Sequence, residues 1–271
     1  MKSGTKILFA LLLSASFVAC QKNENSVDEA LVAADDLDKV AAADIPKGFD
    51  HAHVCKDVHV AGATDPRGAV ITSKKWPKGS VITVRLYGGS TKVRQKVTQY
   101  AQQWSNYANI TFKFVTSGKA QIRVTFTQGA GSYSYLGTDA LQIASNKETM
   151  NFGWFNDNTS DTEFSRTTIH EFGHALGMIH EHQHPLAAIP WDTDAVYAYY
   201  AGYPNYWSQA DVDNNLFAKY STSQTQFSAY DPQSIMHYSV SSALTTNGFS
   251  VGSNNVLSAT DKAFIADAYP Q

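Results

Sequence analysis

Cysteine is nearly absent. The 271 residues carry two, Cys20 and Cys55, so no disulfide framework can staple this fold and an ordinary core must hold it. Basic excess is missing as well. Twenty-one lysines and arginines face 24 aspartates and glutamates, for a net charge of −3 and a pI near 6.3, which leaves no electrostatic footprint for nucleic acid. There is no internal repeat, coiled-coil heptad or low-complexity tract. The N-terminal apolar run, Ile7 to Leu13, is too short to span a bilayer. What remains is a globular composition, 43% hydrophobic, in a chain long enough for one or two domains.

That short run belongs to a targeting segment. Lys2 and Lys6 precede it as a basic region, and residues 1–19 read as a signal peptide of a protein exported from a bacterial cell. The segment ends Phe17-Val18-Ala19-Cys20, which resembles a bacterial lipobox with Cys20 as the lipidated residue. An ordinary secretory peptide that carries a cysteine near its cleavage site is the alternative. Residues 20–67 differ in composition from the remainder of the chain. Asp28, Glu29, Asp35, Asp36 and Asp38 make them acidic, the spaced Val27, Leu31, Leu37 and Val40 suggest a short helix, and Pro46 and Gly48 break it.

The stretch His170-Glu171-Phe172-Gly173-His174-Ala175-Leu176-Gly177-Met178-Ile179-His180 carries the chemistry. On a helix, residues i and i+4 share a face one turn apart, so His170 and His174 aim two imidazoles at one point. Glu171 lies beside that face. Gly177 can end the helix in a left-handed conformation and let the chain bring His180 back. Three imidazoles with a fourth position open is the layout of a catalytic zinc, one Zn2+ per domain, whose fourth position holds water of lowered pKa. Imidazole suits zinc, and hydrolysis needs no redox metal. The spacing H-E-x-x-H-x-x-G-x-x-H is a metzincin signature, far more specific than H-E-x-x-H alone. Glu171 is then the general base of a peptidase, where a lone helix glutamate would ordinarily be a surface group.

Beyond His180 the chain continues Glu181-His182, and downstream it reads Ser234-Ile235-Met236-His237-Tyr238 after Tyr230-Asp231-Pro232. Here it resembles the astacin family of metzincins, with a zinc motif continuing His-Glu-His and a Met-turn of the form S-x-M-H-Y. Trp191-Asp192, Ala195-Val196-Tyr197 and Leu257-Ser258-Ala259-Thr260-Asp261 are similar to bacterial members, and the likeness runs from about Ala69 to Pro270. The resemblance implies an α+β fold. Its N-terminal half holds a twisted, mostly parallel sheet with a backing helix and the active-site helix; its C-terminal half is irregular and holds the Met-turn. It implies a zinc endopeptidase made as a latent precursor, with 20–67 as pro-segment and 68–271 as catalytic domain. Tyr238 becomes a fifth zinc ligand at rest that turns to donate to the oxyanion. Met236 lies under the imidazoles, and Glu181 pairs with the amino terminus freed near Arg67-Gly68-Ala69.

Cys55 is alone if Cys20 carries lipid, and a thiolate binds zinc well. It is the expected occupant of the open metal position in the precursor. An incidental exposed thiol, a Cys20–Cys55 bridge, or an aspartate lock from Asp50, Asp57 or Asp65 are the alternatives; the family's F-x-G-D lock is absent. Membrane contact is expected only through Cys20, the substrates are proteins or peptides, and the chain is expected to be a monomer. Two other functions fit the same residues: a catalytically silent peptide-binding module and a cell-wall peptide amidase. Casein and peptidoglycan hydrolysis separate them.

Periodicity predicts strands over Val81–Leu86, Ile110–Val115, Gln121–Thr127, Tyr133–Leu136 and Asn151–Phe155. Helices are predicted over Thr91–Ala108 behind Ser90, from Ser165 through the zinc motif, over Ala195–Ala201 and over Asp261–Ala268. Tyr206 and Trp207 are expected to pack the lower half.

Overall fold

A computed structural model describes Cys55, Val58 and residues 70–271 apart from 203–204, 221–224 and 227. The signal segment, Cys20, the helix suggested around Val27–Val40, and Asp50, Asp57 and Asp65 lie outside the described residues.

The upper half is a five-stranded sheet whose strands lie in the order 111–114, 81–86, 122–125, 150–151 and 133–134. The strands are β2 (Val81–Leu86), β3 (Thr111–Phe114), β4 (Ile122–Thr125), β5 (Tyr133–Ser134) and β6 (Met150–Asn151). All pair in parallel except β5, which runs antiparallel to β6 along the edge. A separate ribbon joins β1 (Val70–Ile71) to β7 (Thr225–Gln226). In β2 the alternation of Ile82 and Val84, both fully buried, sets the pairing, because a one-residue slip would turn both out of the core. β2 spans the predicted Val81–Leu86, whereas the other four strands of the sheet are shorter than alternation alone predicts, notably β5 and β6.

Two helices press on this sheet. Helix α1 (Thr91–Ala101) is capped by Ser90, whose Oγ accepts from the Val93 N–H, and it buries Val93, Val97, Tyr100 and Ala101 on one stripe. It ends well short of the predicted Ala108. The chain tightens into a 3-10 turn, Trp104–Asn106, that turns the Trp104 indole inward to donate to the Ile169 carbonyl at 2.8 Å. Helix α2 (Asp161–Ala175) carries the zinc motif. Its cap is Ser160, which accepts from the Glu163 N–H, and not Ser165. Ser165 instead lies buried inside the helix and donates to the Asn255 carbonyl. Nearly every residue of α2 after Phe164 is buried, so the helix is a central rod with little solvent face.

The lower half has α3 (Thr193–Ala201), α4 (Gln209–Val212), a π-helical turn Asp213–Phe217, and α5 (Ala259–Ala268). Helix α5 opens with a reciprocal capping box between Ser258 and Asp261, each satisfying a backbone donor of the other. Trp207 is buried with Tyr199 and Tyr200, whereas Tyr206 is 68% exposed with φ of +49°. The expected aromatic packing therefore holds for one of the two.

Where the 3-10 turns Thr72–Lys74 and Gly137–Leu141 meet, Lys74 Nζ lies 2.6 Å from Asp139 Oδ2, with both side chains under 10% exposed. Breaking a buried pair strands a charge, while replacing both partners by apolar groups of similar size often costs nothing. Asp139→Leu should therefore lower unfolding stability by ~3 kcal/mol, and adding Lys74→Met should restore most of it. Urea unfolding of the two variants checks this.

Candidate metal centre

Helix α2 delivers two of three imidazoles, and its ending delivers the third. Gly177 takes φ of +88°. The Gly177 N–H donates to the His174 carbonyl at 2.7 Å and the Met178 N–H to the Gly173 carbonyl at 3.0 Å, the paired bonds of a Schellman ending. The reversal places the Met178 carbonyl 2.8 Å from His174 Nδ1 and returns the chain so that His180 faces the helix. His170 Nδ1 lies 2.8 Å from the carbonyl of Ile235 in the Met-turn.

These carbonyls fix the protons. An imidazole nitrogen that meets a carbonyl oxygen must carry the hydrogen, so Nδ1–H donates in both rings and each Nε2 offers a lone pair. His174 Nε2 is 3.1 Å from His170 Nε2 and 3.1 Å from His180 Nε2. With the protons of His170 and His174 on Nδ1, no hydrogen lies between their Nε2 atoms. Lone pairs that converge at this separation fit a shared cation. Burial, then the neighbouring His174 and His180, hold the His170 pKa well below its ordinary value, which keeps the ring in the neutral form a metal needs.

Cys55 Sγ completes the cluster. One ligand atom each from Cys55, His170, His174 and His180 lie within 4.8 Å of one another, all four residues buried. Cys55 is 6% exposed, so it is not an exposed thiol. An N3S donor set suits zinc, and the residues present therefore fit the metal. Glu171 is fully buried with Oε2 3.4 Å from Cys55 Sγ. The Tyr238 hydroxyl donates to the Cys55 carbonyl. Isolated bridges pair Cys55 with Ser132 and Val58 with Tyr135, parallel to edge strand β5. The six candidate residues, His170, Glu171, His174, His180, Tyr238 and Cys55, are thus brought to one place.

Beneath them lies a support that spacing alone did not reveal. Met236 is fully buried, and a Cβ built on Gly173 would stand 2.4 Å from its sulfur and 3.1 Å from Trp104. The glycine between the two ligands is there for volume. Asp261 reaches up from α5: it accepts from Ser234 Oγ at 2.6 Å and the Ile235 N–H at 2.9 Å. It therefore holds the turn whose carbonyl orients His170. The aspartate belongs to the stretch Leu257–Asp261 already singled out, where nothing showed what it would hold. Glu181 sits in a small acidic hollow with Asp231 and Asp261. Burial, opposed by the Asp231 N–H at 2.8 Å, pushes its carboxyl up to about 8. His182 and His184 turn away to the carbonyls of Asn215 and Ser228.

Comparison with known proteins decides the family. The family model for the astacin peptidases matches residues 69–263. The chain belongs to the astacin family. A solved structure of myroilysin is 80% identical, with 75% of this chain and 99% of that one covered and a TM-score of 0.74. High choriolytic enzyme 1, a hatching enzyme zinc-protease from the medaka fish Oryzias latipes, is 19% identical over 76% of this chain and 98% of its own, with a TM-score of 0.52; it supports the fold. Matrix metalloproteinase-2 of Drosophila melanogaster is 26% identical over 144 residues. The match spans 46% of this chain and 19% of that protein. Residues 69–263 are thus a zinc metalloendopeptidase domain of the astacin type.

The Gly173–Met236 contact predicts that Gly173→Ala destabilises the domain. Alanine gains ~1 kcal/mol of helix propensity over glycine, but the buried sulfur must shift to admit its methyl group. A lower urea midpoint checks this; a higher one would show that Met236 moves freely.

Proposed function

We propose that this astacin is an exported bacterial endopeptidase held latent by its own pro-segment. His170, His174 and His180 hold the zinc, and Cys55 fills the remaining position until residues 20–67 are removed. The observation that carries the reading is the convergence of three Nε2 atoms with one buried thiol.

His170, His174 and His180 would hold zinc as a Lewis acid, which would lower the pKa of a water at the site and polarise the scissile carbonyl. Glu171 accepts the proton of the attacking water at a carboxylate oxygen, and then gives it to the nitrogen of the leaving amine, so one proton moves and one C–N bond breaks. In the precursor this carboxylate is buried with Oε2 3.4 Å from Cys55 Sγ, so removal of the thiol opens it to the attacking water. Tyr238 donates its hydroxyl proton in a hydrogen bond to the carbonyl oxygen as negative charge develops there. In the precursor that same hydroxyl is committed to the Cys55 carbonyl, so the segment occupies both the metal position and the oxyanion donor. Cys55 and Val58, bridged to Ser132 and Tyr135, also cover the edge where an extended substrate would add as a strand.

Cleavage near Arg67 frees an α-amine that pairs with Glu181. A carboxyl with its pKa raised to about 8 by burial gains most from an incoming cation, and cleavage alone creates one there. If Cys20 carries lipid, the anchor stays with the pro-segment and the catalytic domain leaves the membrane as a monomer.

Processed Glu171→Ala should keep its zinc and lose ~10^3-fold in casein hydrolysis; equal turnover would remove the glutamate from the chemistry. Cys55→Ala should give a precursor that hydrolyses casein before cleavage. A variant precursor as silent as the parent would assign latency to another group.

A further inference from the structure

The phenol ring of Tyr238 rests on a histidine that neither binds the metal nor moves a proton in the proposed reaction. His182 is fully buried, and its ring stacks on Tyr238 with centroids 4.2 Å apart and planes at 27°. Tyr238 also meets His180, at 4.3 Å and 59°, and more distantly His170, at 6.5 Å, so His182 is the nearest imidazole on its ring and lies outside the metal-site cluster. His182 contributes no atom to the cluster of Cys55, His170, His174 and His180. Its Nε2 lies 2.7 Å from the Asn215 carbonyl and must carry the hydrogen.

That acceptor is well placed to serve as an anchor. Asn215 belongs to the π-helical turn Asp213–Phe217, and beside it Gln183 Nε2 donates to the Asn214 carbonyl at 2.8 Å. A helix end leaves its last carbonyls without intrahelical partners. Here two successive side chains take two successive ones, and the segment after the third metal-site histidine is tied to a neighbouring element. The Tyr220 N–H adds a bond to the Gln183 carbonyl at 3.1 Å. His182 is therefore a plate bolted at its far edge.

We propose that His182 is a positioning residue for catalysis: stacked on Tyr238 and tethered to Asn215, it sets where the tyrosine hydroxyl points. The inference rests on Tyr238 being the oxyanion donor. The stacked pose is the one with the hydroxyl turned to the Cys55 carbonyl, and a ring steadied on its face in that turned position meets developing charge with less reorganisation. An apolar side chain could fill the space; an imidazole fills it and also fixes its own orientation.

The test uses the processed, zinc-loaded enzyme in a double-mutant cycle of His182→Ala and Tyr238→Phe. It reads kcat and KM on a peptide, and the affinity for a peptide phosphinate whose tetrahedral oxygens stand in for the oxyanion. Zinc stoichiometry is measured on each variant. Tyr238→Phe should lower kcat ~100-fold. His182→Ala should lower it about 3- to 10-fold, the size of an aromatic contact, with KM and zinc unchanged and the phosphinate weakened by the same factor. In the Tyr238→Phe background the histidine change should have no further effect. His182→Phe, which keeps the stack without the tether, should recover part of the loss, and it replaces the alanine variant in the cycle if that one does not fold. Equal losses from the histidine change in both backgrounds would reduce His182 to general packing and overturn the proposal. An unimpaired Tyr238→Phe would instead remove the oxyanion reading on which it stands.

Discussion

Three nitrogen lone pairs aimed at one buried point repel one another, and the rest of the structure answers to that fact. Left to themselves, neutral imidazoles would turn to share protons. His170 and His174 are prevented from doing so because their Nδ1 hydrogens are already given to the Ile235 and Met178 carbonyls. The arrangement makes sense only around a cation, and its cost must be met by the scaffold when the cation is absent.

That scaffold is built from distant parts of the chain. The Schellman ending at Gly177 supplies one carbonyl and returns His180. The Met-turn supplies the other, and Asp261, from the C-terminal helix α5, holds that turn through two donors, Ser234 Oγ and the Ile235 N–H, while it also accepts from the Ser258 N–H at its own helix cap. A buried carboxylate with several hydrogen bonds is a rigid fixture, although burial still pushes its pKa up. The same turn carries Tyr238 and, through the Met236 carbonyl, receives the Glu181 N–H at 2.9 Å. His170, Tyr238 and Glu181 thus share one support.

Much of this was legible in the order of residues, for a physical reason. Helical spacing fixes His170 and His174 on one face whatever surrounds them, and only glycine turns cheaply at a position like 177. Strand alternation at Val81–Leu86 and the Ser90 cap are equally local. What failed was decided by partners far along the chain. Trp104 ended its helix early because its indole found the Ile169 carbonyl. Ser165 resembled a cap, yet Ser160 took that place and Ser165 bonded Asn255 instead. The role of Gly173 could not be read without Met236, adjacent in space and remote in sequence. Asp261 announced a helix start but not the turn it grips, and His182 showed nothing of Asn215.

The account turns on one ion held by three imidazoles. X-ray absorption at the zinc edge on the processed enzyme measures that directly. The account predicts one zinc per chain with three imidazole nitrogens at ~2.0–2.1 Å and the outer-shell scattering of three rings. A protein that folds and cleaves substrate with no zinc, or with a shell of oxygens and no imidazole rings, would contradict it.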